Sequence, residues 1–242
     1  MIYARSKKLL FIKTKKTAGT SLELVLRQFC SPEDIITTIT PEDEQLHFGG
    51  LRPRNYSKSK TLELTYNALL CIKKYGLASF LRNYGKKHVI FKNHISASKV
   101  KELIGTFEFN SAYKFAVERH PYEKVVSRAW HRMRNQKTYH DMAISDAIDM
   151  TIASGSGFIN WPIYSDGVNV LVDKVLSYEN LFDELKALED KFGMGGLASR
   201  LPNAKSRARK NKTNAFELLT DKQKIKVHEL CSFEFKLMNY DV

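Results

Sequence analysis

The stretch Leu9 to Phe29, LLFIKTKKTAGTSLELVLRQF, limits what this chain can fold into more than any other. Leu9, Leu10, Phe11 and Ile12 form a short continuous apolar run of the kind buried on both faces of a parallel sheet. Leu22, Val25, Leu26 and Phe29 then recur at helical spacing. The loop between them falls at the C-terminal end of a strand and the N-terminus of a helix. There the first backbone N–H groups lack intrahelical acceptors and the helix dipole favours an anion. Lys13, Lys15 and Lys16 add positive charge, Gly19 allows close backbone approach, and Thr17, Thr20 and Ser21 supply hydroxyls. These residue types suit phosphate, but the order is not that of a Walker A loop, because Lys16 precedes Gly19 instead of following a glycine. An ordinary strand-to-helix turn with a Ser/Thr cap is the competing description.

The same strand–loop–helix alternation continues downstream. His88–Phe91 (HVIF), Tyr113–Val117 (YKFAV) and Val168–Leu176 read as further strands. After Pro121, residues Tyr122, Val125, Val126, Ala129, Trp130 and Met133 give the clearest helical period in the chain. Ser96 or Ser98 is placed to cap a helix ended by Gly105, Ile144–Ile152 is helical, and a helix with Leu181, Leu185, Leu188 and Phe192 stops at Gly193. Thr220 and Gln223 have capping-box spacing. The expected fold class is α/β: a central parallel sheet flanked by helices, with a P-loop-like strand–loop–helix site at the C-terminal edge of the strands. With 242 residues the chain is long enough for one such domain, carrying a helical insertion at about 41–87 whose two helices break near Gly76.

Charge is localised. Residues 50–87 hold nine Lys/Arg against Glu63 alone, and residues 200–212 hold six with no acid, so these two segments exceed the whole formal charge of +13. Two local patches point to anionic ligands, with solvated basic surface as the bland alternative. The three cysteines, Cys30, Cys71 and Cys231, are widely spaced in apolar surroundings and read as buried free thiols of a reducing compartment. No apolar stretch is long enough to cross a membrane, and the four-residue apolar run before Lys13 falls short of a signal-peptide core. A soluble, cytoplasmic protein is expected.

Lys16-Thr17-Ala18-Gly19-Thr20-Ser21 resembles the 5′-phosphosulfate loop of sulfotransferases that use 3′-phosphoadenosine 5′-phosphosulfate (PAPS), with Lys15 in place of the usual proline. The segment Phe115–Ser127 resembles that family's 3′-phosphate segment, in which Arg119 at a strand end and Ser127 on the next helix would hold the phosphate. Glu118 and His120 depart from its usual pattern. Taken alone, Arg119 reads equally as a surface salt bridge and Ser127 as a solvent-facing helix residue. Tyr178-Glu179-Asn180-Leu181 and Leu201–Ser206 resemble two further landmarks, in order. In relatives the last loop folds over the nucleotide, which would give Lys205, Ser206, Arg207 and Lys210 a binding role.

The resemblance, on the branch that includes carbohydrate sulfotransferases, implies sulfuryl transfer from PAPS to a hydroxyl, with PAP as product and no metal. It assigns the leaving phosphate to Lys16, and the base to a histidine. His94, after the HVIF run, is the first choice and His47 the second. The basic insertion suggests an anionic acceptor such as an acidic glycan or a lipid-linked sugar, with peripheral membrane contact. Two other classes compete. A kinase or NTPase would need a metal-holding Ser/Thr beside the loop lysine and a strand-end Asp, and no apolar strand ends in a well-placed Asp. A nucleic-acid-binding protein would fit the pI near 9.5, but no recognisable module accompanies the charge, and no nucleic-acid partner is expected.

Overall fold

Four residues separate the first two strands, too few for a parallel crossover. β1 (Ile2–Ala4) and β2 (Leu9–Phe11) therefore pair antiparallel through a turn in which Lys7 N–H donates to Ala4 O at 3.2 Å and Lys8 N–H to Arg5 O at 2.9 Å. The computed structural model describes residues 1–201 and 214–241. After β2 come α1 (Gly19–Leu26), a 3₁₀ turn at Arg27–Phe29, β3 (Ile35–Ile36), α2 (Pro41–Glu44), α3 (Lys60–Cys71), α4 (Tyr75–Tyr84), α5 (Ala97–Ile104) and α6 (Thr106–Ser111). Then follow β4 (Tyr113–Glu118), α7 (Pro121–Asn135), α8 (Ile144–Ser154), α9 (Trp161–Tyr164), β5 (Ser165–Asp166), β6 (Asn169–Val170), β7 (Lys174–Ser177) and α10 (Leu181–Phe192). Beyond residue 213 lie α11 (Ala215–Leu218), α12 (Asp221–Leu230) and α13 (Ser232–Met238).

The architecture is α/β, with a five-stranded sheet in the order β3-β1-β2-β4-β7. It is mixed, correcting the expectation of a parallel sheet: β2, β4 and β7 run parallel, whereas β1 is antiparallel to both neighbours. Alternation sends Leu9, Phe11, Phe115 and Val117 to one face, against α1 and α10, and Leu10, Ile12 and Ala116 to the other, against α5, α6 and α9. Phe11 and Phe115 lie in register, their ring centroids 5.1 Å apart. A third core joins α7 to α8, α12 and α13, and Tyr66, Leu70 and Ala78 hold α3 to α4.

Three elements differ from expectation for identifiable reasons. HVIF is not a strand: Val89 makes one isolated bridge to Ser57, and the N–H groups of Ile90 and Phe91 both donate to Tyr56 O (2.9 and 3.0 Å), which a ladder does not allow. The Val168–Leu176 run splits, β6 forming a hairpin with β5, and only β7 joins the main sheet. The α3–α4 break falls at Lys73, which takes a left-handed φ of 58°, while Gly76 lies inside α4. All three cysteines are free, but only Cys231 is buried: Cys30 is half-buried and Cys71 is exposed on α3. Among the described residues no helix is long and apolar enough to cross a membrane.

Candidate active site

The parallel strands β2, β4 and β7 end on the same side of the sheet, and the residues following them meet at a cavity of about 570 Å³. Such crevices at the carboxyl ends of parallel strands are where ligands of open α/β sheets bind. Lys13–Thr20 form one wall, Arg119 and Tyr178 a second, the α7 stripe from Ser127 to Arg134 a third, and His94 and Asn93 close another side. Lys15, Lys16, Thr17, Ala18, Gly19, Thr20, His94, Arg119 and Ser127 are thus brought together from three separated stretches of sequence. Ser21 is buried and does not line the cavity, and neither does half-buried His47. Lys205, Ser206, Arg207 and Lys210 lie outside the described residues.

The Lys13–Ala18 loop is held more tightly than its sequence discloses. Ile12 N–H still donates to Phe115 O, extending the β4 pairing into the loop. Asn160, fully buried on the approach to α9, then clamps Lys15 in both directions: Lys15 N–H donates to Asn160 Oδ1 at 2.9 Å, and Asn160 Nδ2 donates to Lys15 O at 3.1 Å. Lys16 and Ala18 occupy left-handed backbone conformations, with φ of 64° and 57°. Non-glycine residues adopt that region at a cost, which the surrounding contacts must offset. Ala18 provides no side-chain cap to α1, and the first turn of α1 contains no acid, so nothing anionic from that turn competes for its N–H groups.

Two expected donors turn inward. Lys13 does not supply free positive charge, because its Nζ lies 2.5 Å from buried Glu23 Oε2. Burial alone would raise the Glu23 carboxyl, but Lys13 and neighbouring cations outweigh it and hold the group down to about 2. Thr14 donates its hydroxyl hydrogen to Val117 O, so in the 2.7 Å contact between Thr14 and Thr17 it is Thr17 that donates. Gly19, which lines the cavity, is also demanded by packing within the loop. A Cβ there would come within 2.8 Å of Lys13 Cγ and 3.3 Å of Thr14 O, so the glycine makes room for the buried Lys13 side chain.

After β4, Arg119 makes the salt bridge that its residue type suggested and also lines the cavity. One terminal nitrogen lies 2.7 Å from Glu123 Oε2, and the guanidinium sits 4.4 Å above the Tyr178 ring. The departures beside it are structural. His120 caps α7: its Nδ1 accepts from Tyr122 N–H at 3.3 Å while Nε2 donates to Asp241 O at 3.1 Å, the arrangement of a neutral ring, and burial lowers its pKa accordingly. Glu118 is wholly buried, ion-paired with Lys124 at 2.7 Å, and accepts from Tyr164 Oη at 3.0 Å and Asn160 Nδ2 at 3.2 Å. Glu118 therefore links β4 to the residue that clamps the Lys15 loop.

His94 reaches the cavity from a turn, with φ 57°, and its Nδ1 donates to Lys13 O at 3.1 Å, leaving the lone pair on Nε2. Burial, with the Lys13 ammonium nearby, pushes its pKa down to about 3. His94 is thus held neutral, with Nε2 able to accept a proton and its basicity lowered by burial.

Sequence reasoning missed Asn160 and Arg128. Arg128 packs against Gly157, where a Cβ would fall 2.4 Å from Nε, and that Nε is buried without a hydrogen-bond partner. Burial and then Arg128 lower the Lys15 ammonium, which places two cations on the same stretch of wall. Asp43 is the one acid among the described residues lining the cavity. Among the described residues no group of three or more His, Cys, Asp or Glu side chains is arranged to hold a metal ion. The arrangement suits a polyanion held against the loop and α7, with a neutral imidazole beside it. Compared with models of known protein families, with characterised proteins and with solved structures, the chain matches none.

Proposed function

We propose that the protein is a PAPS-dependent sulfotransferase acting on a hydroxyl acceptor, most naturally of a carbohydrate or glycolipid. The observation that carries this reading is the convergence on one cavity of the Lys15–Thr20 loop, the Arg119–Ser127 pair and His94. A nucleotide with a 5′-phosphosulfate and a 3′-phosphate needs two separate anion subsites, and the loop together with Arg119 and Ser127 offers cations and donors for both.

In this reading Lys16 and the first-turn N–H groups of α1 receive the 5′-phosphate, while Arg119 and Ser127 hold the 3′-phosphate. The acceptor oxygen forms a bond to sulfur as the bond from sulfur to the phosphate oxygen breaks. That oxygen keeps the electron pair, stabilised by Lys16, and the hydroxyl proton passes to His94 Nε2. Such transfers have loose transition states, so positioning and fixed donors supply most of the rate. Weak basicity in His94 is compatible with late proton loss, and the negative charge of bound nucleotide raises its affinity for the proton.

Thermal-shift measurements test this reading. PAP should raise the melting temperature without magnesium, in the manner of any ligand that binds only the native state. Stabilisation by ATP that requires magnesium, with none by PAP, would replace it with a kinase or NTPase reading.

A further inference from the structure

The α3–α4 hairpin carries large apolar side chains on its outer surface as well as in its inner contact. α4 packs inward through Ala78, with Leu81 half-buried, and turns Leu77, Phe80 and Tyr84 outward at helical spacing. These three are 57%, 69% and 70% exposed, and Leu64 on α3 and Ile72 just past its end are 71% and 63% exposed. Leu64, Ala68 and Cys71 on α3, continued by Ile72 at its C-cap, also fall on one exposed stripe. The Phe80 and Tyr84 rings stack with centroids 6.3 Å apart, and Lys87 Nζ lies 5.8 Å from the Tyr84 ring centre. Exposed lysines bracket α4, with Lys73 and Lys74 before it and Lys86 and Lys87 after it. Glu63, the sole acid of residues 50–87, is buried and accepts from Ser57 N–H.

We infer that this face docks onto an anionic lipid surface. Exposed aromatic and leucine side chains flanked by lysines match the interfacial pattern of a helix lying at the headgroup boundary. A protein partner fits less well, because lysine is depleted at protein interfaces. A second copy fits worst, since pairing the face with itself would oppose lysine clusters of the same sign. The acids of α2 lie on the other side of α4, where Glu42 accepts from Ser79.

Co-sedimentation with phosphatidylcholine vesicles, with and without phosphatidylserine, tests this inference independently of any nucleotide. The full chain should bind the phosphatidylserine vesicles, weakly or not at all the neutral ones, and less as salt increases. Phe80→Ser with Tyr84→Ser should abolish binding. Reversing Lys73, Lys74, Lys86 and Lys87 to glutamate should weaken it by more than about a hundredfold, at roughly fivefold per lysine near an anionic surface. Tyr84→Trp provides a readout that needs no loss of function: its added emission should move to the blue on phosphatidylserine vesicles. Absent binding, binding undiminished in the serine variant, or an unshifted Tyr84→Trp spectrum would overturn the inference. So would a dimer in sedimentation equilibrium that the serine substitutions dissolve, which would assign the face to a second copy.

Discussion

Replacing Arg119 with alanine separates a phosphate ligand from a structural ion pair. Its links to the fold are the Glu123 contact at 2.7 Å and the Tyr178 ring at 4.4 Å, both partly open to solvent. With side chains 17% and 20% exposed the pair is still screened and worth about 1 kcal/mol, and a partly desolvated cation–π contact up to about 2 kcal/mol, so the fold should lose no more than about 3 kcal/mol. A charged hydrogen bond to phosphate is worth about 1.5–3 kcal/mol, which corresponds to a loss of roughly 10- to 150-fold in affinity. The substitution also leaves Glu123 unneutralised beside the anion, so the loss should fall near the upper end. Isothermal titration of PAP and of adenosine 5′-phosphosulfate, which lacks the 3′-phosphate, reads the difference directly. PAP should weaken by that factor while adenosine 5′-phosphosulfate changes by no more than about twofold, and adding Glu123→Gln should recover part of the loss. Equal weakening of both nucleotides would refute the assignment.

Lys16→Ala should leave the fold intact and lower kcat by about a hundredfold or more, since one preorganised donor to developing charge is worth about 2.7–4 kcal/mol; single-turnover transfer from PAPS measures this. Asn160→Ala leaves the part-buried N–H and carbonyl of Lys15 without their Asn160 partners. It should cost about 1–3 kcal/mol in urea denaturation and weaken PAP binding, although Asn160 belongs to neither phosphate subsite. For His94, the folded pKa of about 3 lies below the ordinary value near 6.5, so the unfolded chain takes up the proton first. Its contribution is present above about pH 6.5 and is lost as pH falls towards 3. His94→Gln should therefore lose less stability than the wild type when acidified from about pH 7 to 4, as read by denaturation at each pH.

The strand and helix either side of the Lys13–Ala18 loop were legible because an apolar run and a helical period abut there, each an unambiguous local signal. α7 and the Thr220–Gln223 capping box, in which both reciprocal hydrogen bonds form, were legible for the same reason. β1 was not, since three residues beside a charged turn carry no period. HVIF misled because four consecutive apolar residues look alike in a strand and in a buried irregular segment. Here Tyr56 O takes two adjacent N–H groups. The clamp of Asn160 on Lys15 spans 145 positions and leaves no trace in either neighbourhood. The outward apolar face of α4 was hidden as well, because helical spacing identifies a stripe without saying which side it faces.

A crystal structure of the chain with PAP bound tests the central claim most directly. The 5′-phosphate should rest over the first turn of α1 beside Lys16, and the 3′-phosphate should lie within about 3 Å of donors on both Arg119 and Ser127. A nucleotide bound outside this cavity, or with its 3′-phosphate away from Arg119, would contradict the account.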